Sequence, residues 1–235
     1  MRPFNPPRTL ATVLVCVAVA GCGSGDGSTN VTPSATYGLS VTPPAGPTTL
    51  GTHLSFGVNL ASSGFAGPVT LSATGAPASW QVAFSPSVTV NLTSGGSGSA
   101  TVTITIPSNG AAAPSGTPIT IHGTASAGSQ SDVATVTVAN QYVIAIADGT
   151  GAGAHWGALT GTTLDLAVGA TLVIRNDDSV VHQVHAGAPG LGLPHQAGDM
   201  TTGQSYTSSP VLAGQDLIYC HDHGTGSGQF TVRVQ

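Results

Sequence analysis

The chain has 235 residues, 40% of them hydrophobic, with four basic residues (Arg2, Arg8, Arg175 and Arg233), nine aspartates and a net charge of −5. It contains no lysine and no glutamate. So few cations cannot build the clustered Lys/Arg surface that phosphate backbones require, which excludes nucleic acid as a partner. Val, Thr and Ile recur in alternation, so the low charge belongs to folded sheet rather than to a solvated coil.

Residues 1–21 read as an export signal. Arg2 and Arg8 precede an apolar run, Leu10 to Ala20, that is short for a membrane span. It ends in Val19-Ala20-Gly21-Cys22, which resembles the lipobox of bacterial lipoproteins. That resemblance implies that Cys22 becomes the first mature residue and carries lipid, so the protein is anchored to a membrane without spanning it. The expected location is the cell envelope, outside the cytoplasm. Gly23 rather than an aspartate after the cysteine favours the outer membrane over the inner. Residues 22–36, rich in Gly and Ser, read as a flexible linker. Cys16 leaves with the signal and Cys22 is lipidated, so Cys220 has no partner within the chain. A lone thiol in an oxidising compartment is expected to be buried, reactive or metal-bound.

Residues 37–140 are β throughout. "HLSFGVNL", "PVTLSAT", "WQVAF", "SATVTITI", "TPITIHGTA" and "DVATVTVA" alternate apolar with polar residues, and Gly, Pro, Ser and Asn punctuate them about every ten residues, which predicts an antiparallel sandwich. No segment has a helical period. The pattern resembles bacterial Ig-like domains, which implies a spacer or binding module. His53 and His122 have no neighbour at ligand spacing and read as surface residues.

Residues 141–235 are again short strands: "YVIAIA", "LDLAVGATLVIRN", "QSYTSS", "DLIYC" and "QFTVRV". Six of the eight histidines and seven of the nine aspartates fall here. Cys220 and His223 are spaced C-x-x-H at a strand end, so one tight loop can aim a thiolate and an imidazole at one ion. A thiolate with two imidazoles suits copper in an electron-transfer site. "LVIRNDDSVVHQVHAG" supplies a distant imidazole, His182, just after a strand and a polar turn.

With both motifs in hand, this region resembles the cupredoxins, most closely the amicyanin and plastocyanin group. The resemblance rests on "VIRNDDSVVHQVHAG", where Asn176 precedes His182 by six residues, and on "AGQDLIYCHDHGTGSGQFTVRV". It implies a Greek-key β-sandwich with one copper ion, cycling between Cu(I) and Cu(II), held by His182, Cys220 and His223. The whole chain is then all-β: an Ig-like β-sandwich followed by a cupredoxin sandwich. One position departs. The family's weak axial methionine falls where this chain has Gly226. A backbone carbonyl such as that of Val181, a side chain from His185, His221 or Asp222, or a water can take that place, or the site has lost its metal. Met200, in "GDMTTGQSY", falls in the family at a strand edge away from copper.

Side chains alternate along a strand, so His221 should face away from Cys220. It reads as a loop histidine at the site's edge. A second metal there, with His155, His185 and His195 as further ligands, is the sharper alternative. It is disfavoured because the enzymes that build such a centre combine several cupredoxin domains. Asn176 and Asp177 are expected to build the turn before His182, and Gln183 to tie the two ligand loops together. No nucleophile triad, carboxylate pair or phosphate loop is present, so no enzyme is expected. The functional expectation is a lipid-anchored one-electron carrier with a redox partner protein in the envelope. The alternatives are a copper protein for storage, delivery or sensing, and a structural or adhesion protein with a degenerate cupredoxin domain.

Overall fold

The computed structural model describes residues 34–151 and 156–235. The export signal, Cys22, nearly all of the linker and His155 lie outside the described residues. No helix among the described residues is long and apolar enough to cross a membrane.

The fold is all-β. The first half carries β1 (Thr36–Val41), β2 (Thr48–Thr49), β3 (His53–Ser63), β4 (Gly67–Thr74), β5 (Gln81–Ser85), β6 (Thr89–Leu92), β7 (Ser97–Thr105), β8 (Ala113–Ala125) and β9 (Gly128–Ala139). They form two sheets, in the orders β1-β3-β7-β5 and β2-β9-β8-β4-β6. Alternation decides which side chains go in. In β3, Phe56, Val58 and Leu60 are buried while the residues between them face outward. These join Val102, Ile104, Ile121 and Val136 in one apolar core, each large aliphatic side chain contributing about 1.5–3 kcal/mol by leaving water.

The second half carries β10 (Gln141–Ile146), β11 (Thr163–Leu166), β12 (Thr171–Asn176), β13 (Val184–His185), β14 (Ser205–Ser208), β15 (Gly214–Cys220) and β16 (Gly224–Val234). Its sheets have the orders β10-β12-β14 and β11-β16-β15-β13. Ile146, Leu166, Leu172, Ile174, Ile218 and Phe230 form its core. Trp156 closes one end. Its ring meets Phe230 edge-on with centroids 5.1 Å apart, and its Nε1–H donates to the Gly228 carbonyl at 3.1 Å.

The sheets are mixed, where alternation and turn residues in the first half point to purely antiparallel pairing. β2 runs parallel to β9, β10 to β12 and β11 to β16. In the second half the chain crosses from β10 to β11 in the opposite sheet before returning as β12. Neighbours joined by such a crossover run in the same direction.

Asn140 alone separates β9 from β10. Tyr142 packs against both cores, and the Leu50 N–H donates to the Gln141 carbonyl at 2.9 Å. Gly51 sits at this junction with φ +74°, and a β-carbon there would collide with the Tyr142 ring. Only glycine accommodates both the backbone and the approach.

Candidate metal centre

The loop from β12 to β13 is built around two buried polar side chains. Asn176 is fully buried. Its Nδ2 donates to the carbonyls of Val180 and Met200, each at 2.8 Å, and its Oδ1 accepts from the Asp178 N–H at 2.9 Å. Asp178, 1% exposed, accepts from the backbone N–H groups of Gly149 (3.0 Å), Gly151 (2.7 Å) and Ser179 (2.7 Å) and from the Thr150 hydroxyl (2.9 Å). Burial alone would raise its pKa. The Gly151, Thr150 and Gly149 donors, with His182, outweigh burial and hold the carboxyl well below the usual carboxylate range.

This corrects the expectation for Asp177. Asp177 is surface-exposed and paired with the Arg175 guanidinium, both contacts at 2.6 Å. It is the next residue, Asp178, that turns inward and organises the loop. The sequence signal that could have found it is its i, i+4 spacing to His182.

Asp178 Oδ2 lies 3.2 Å from His182 Nε2. A carboxylate only accepts, so Nε2 carries the ring proton and Nδ1 is left with its lone pair. The backbone clamps the same residue. His182 N–H donates to the Met200 carbonyl at 3.1 Å and Met200 N–H returns to the His182 carbonyl at 2.7 Å. Met200 therefore sits directly opposite His182, in the same buried cluster as Cys220. The family pattern had set it at a strand edge away from the site.

His182 Nδ1 lies 3.7 Å from Cys220 Sγ. Cys220, 1% exposed, pairs across the sheet with Val184. Past it the chain turns tightly: Gly224, at φ +62°, lies across from Cys220, and its N–H donates to the His221 carbonyl at 3.4 Å. That turn brings His223 Nδ1 to 3.2 Å from Cys220 Sγ. The three donor atoms lie within 4.8 Å of one another. Bonds of about 2.0 Å to nitrogen and about 2.3 Å to sulfur in a trigonal or tetrahedral arrangement need nitrogen and sulfur about 3.5–3.7 Å apart, close to the 3.7 and 3.2 Å found here. Among the described residues no fourth His, Cys or Asp joins this group. Two imidazoles and a thiolate with an open or weak fourth place fit copper, and they also fit zinc with a water in the fourth place.

The remaining candidates lie elsewhere. Asp222 is exposed and belongs to no such group. His185 and His221 project from the opposite face of the sheet, where they meet His195. Burial, then the neighbouring His195 and His221, pushes the His185 pKa down. Gln183 departs from its expected role. Its side chain donates to the Gln196 carbonyl at 3.0 Å rather than to the Cys220 loop, because Gln183 faces outward while Val184 faces in. Its backbone carbonyl does hold that loop, accepting from the His221 N–H at 2.7 Å.

No family model matches the sequence, and no curated protein matches it. Solved cupredoxin structures are similar to part of it. A novel purple cupredoxin from Nitrosopumilus maritimus is 24% identical over 40% of this chain and 98% of its own, with a TM-score of 0.32. An oxidized amicyanin mutant is 22% identical over 40% and 80% of the two chains, with a TM-score of 0.31. A reduced amicyanin mutant is 23% identical over 41% and 83%, also at 0.31. These likenesses are low, and the chemistry of the site rests on its own donor atoms.

Proposed function

We propose that the chain is a copper protein of the cell envelope, anchored through lipid on Cys22, that carries single electrons through a type 1-like site formed by His182, Cys220 and His223. The observation that carries this reading is the convergence of two imidazole nitrogens and one thiol sulfur, with Asp178 fixing His182 from behind. Copper bound there would supply a one-electron couple. The protein holds the donors still, because a ligand set that does not rearrange between oxidation states wastes little energy on reorganisation. His182 is held by its backbone pair with Met200 and Cys220 by its pairs with Val184 and Gly224, and both are 1% exposed. His223, half-buried, is the donor nearest solvent and offers the route outward.

No substrate bond is made or broken in this role, so the chain acts as a carrier rather than an enzyme. The partner is a redox protein. Arg175 and Arg233 are both tied to aspartates, and residues 141–235 carry seven aspartates against these two cations, a net acidic balance that suits a basic partner. Val180 and Val181, exposed just before His182, add an apolar patch. Residues 37–140 serve as the spacer between the anchor and the site. Storage or delivery is the second reading, favoured by Gly226 where the family has its axial methionine.

The test is to load the protein with Cu(II) and record visible absorption and electron paramagnetic resonance beside Cys220→Ser. An intense thiolate-to-copper band with small hyperfine splitting, absent in the variant, is expected. A weak band with large splitting, indifferent to Cys220, would sink the carrier reading. Rapid loss of Cu to a chelator in both oxidation states would favour delivery.

A further inference from the structure

The face of the sheet opposite Cys220 carries its own cluster. His185, on β13, stacks on Tyr219 of β15 at 4.2 Å between centroids and 20° between planes. His221 follows Cys220 and points the other way, by the alternation of strand side chains. His195 comes from the loop between β13 and β14. One ring nitrogen from each of the three lies within 4.8 Å of the others. The rings stand nearly perpendicular in pairs, at 88° (His185–His195), 89° (His195–His221) and 77° (His185–His221). Parallel stacking would bury ring faces. Perpendicular rings leave the ring edges, which carry the nitrogens, uncovered by stacking, and one nitrogen of each is within 4.8 Å of the others.

We propose that His185, His195 and His221 form a second metal site, for a divalent ion of borderline softness such as Zn²⁺ or Cu²⁺, with its remaining coordination open to solvent.

Three observations support it. The first is the frame. Gln196 N–H donates to the Val184 carbonyl at 3.2 Å, its Oε1 accepts from the Val184 N–H at 2.9 Å, and its carbonyl accepts from Gln183 Nε2. The His195 loop is thereby fastened to β13, and His221 N–H is fastened to Gln183. Three separate segments are held in register with no ligand needed to draw them together.

The second is the tautomer of His195. Its Nδ1 lies 2.6 Å from the Gln196 carbonyl, which can only accept. Nδ1 therefore carries the proton, and the Nε2 lone pair accepts from His221 Nδ1–H at 3.1 Å in the metal-free cluster, a bond that an ion would replace. A backbone carbonyl behind the ring is how metal-binding histidines are usually oriented.

The third is an orphan. His185 Nδ1 is buried with no hydrogen-bond partner, the sole such side-chain atom among the described residues. Such a group costs free energy, and an ion on the cluster, or water bound to that ion, supplies what it lacks. Imidazole-only coordination selects Zn²⁺, Cu²⁺ or Ni²⁺ over Ca²⁺ and Mg²⁺, which want oxygen. His195 and His221 are exposed, so an ion can enter.

This inference stands apart from the first site. Metal-free full-length Cys220→Ser is titrated with Zn²⁺, with bound metal measured by equilibrium dialysis and imidazole resonances followed by NMR. One zinc equivalent is expected, shifting the three rings, and His195→Ala or His221→Ala in that background should weaken it at least tenfold. His223→Ala should not. Unchanged melting of each variant without metal shows that folding is intact, and wild-type protein titrated beside His195→Ala covers a background that folds poorly. Equal zinc affinity with and without His195, or no shift of these rings, overturns the second site. Loss of the thiolate-to-copper band would instead count only against the first.

Discussion

Residues 36–139 and residues 141–234 each fold as two sheets around an apolar core, yet among the described residues all four buried polar or charged ones, Asn176, Asp178, His182 and Ser208, lie in the second half. The first half keeps its polarity outside, in cross-strand pairs such as Ser55–Thr103 at 3.0 Å. Burying a polar group costs free energy unless it is hydrogen-bonded. Among its described residues the first half buries no residue of polar type and so avoids that cost. The second half accepts it, hydrogen-bonds these four residues while leaving His185 Nδ1 without a partner, and places Asn176, Asp178 and His182 in one loop.

The contrast breaks most sharply at Cys220. Cys220→Ser replaces the soft donor with a hard hydroxyl, and the expected result is complete loss of the thiolate-to-copper band. The hydroxyl keeps His182 Nδ1 and His223 Nδ1 near it, so stability, read by urea unfolding, should fall by about 1 kcal/mol or less. A variant that kept the band would show that the metal sits elsewhere.

Asp178 comes next. Asp178→Ala removes a buried carboxylate with four donors from its own loops and one from His182, and should cost about 3–5 kcal/mol. Its folded pKa is depressed, so its contribution is present above the unfolded aspartate value of about 3.9. That contribution is lost as pH falls from there toward the folded value. The stability gap between wild type and Asp178→Asn should therefore be full at pH 6 and shrink below pH 4. A gap constant across that range would mean that the carboxylate's charge is not what holds the loop.

A smaller effect is expected where the halves join. Gly51→Ala sets a β-carbon against the Tyr142 ring at a positive φ, and overpacking of this kind costs about 1–3 kcal/mol. Melting temperature should fall while the copper spectrum stays as it is. A changed spectrum would mean that the first half reaches the site through Tyr142.

What is legible in the sequence follows from how local each feature is. "SATVTITI" declares β7 because inward and outward faces alternate within one strand. C-x-x-H places Cys220 and His223 together because one turn does it. The parallel pairing of β10 with β12 is not legible, since it depends on where the chain crosses between sheets. Asp177 and Asp178 are identical in type and adjacent, and only the register of the β12 end decides that the second turns inward. His195 and His221 are 26 residues apart and meet because Gln196 docks on a two-residue strand that no pattern announces.

The smallest effect is expected in the first half's own histidines. His53 Nδ1 pairs with Thr105 Oγ1 at 3.0 Å and His122 Nε2 with Thr74 Oγ1 at 2.9 Å, both on exposed strand faces. Each is an imidazole already engaged with a hydroxyl, and among the described residues neither belongs to a group of three donors able to hold an ion. The double variant His53→Gln/His122→Gln should change stability by less than about 0.5 kcal/mol and leave bound copper and zinc per chain unaltered by elemental analysis. Loss of a metal equivalent would place chemistry in the first sandwich as well. The division drawn from buried polar groups would then fail, because it assumes that a surface imidazole without neighbours holds nothing.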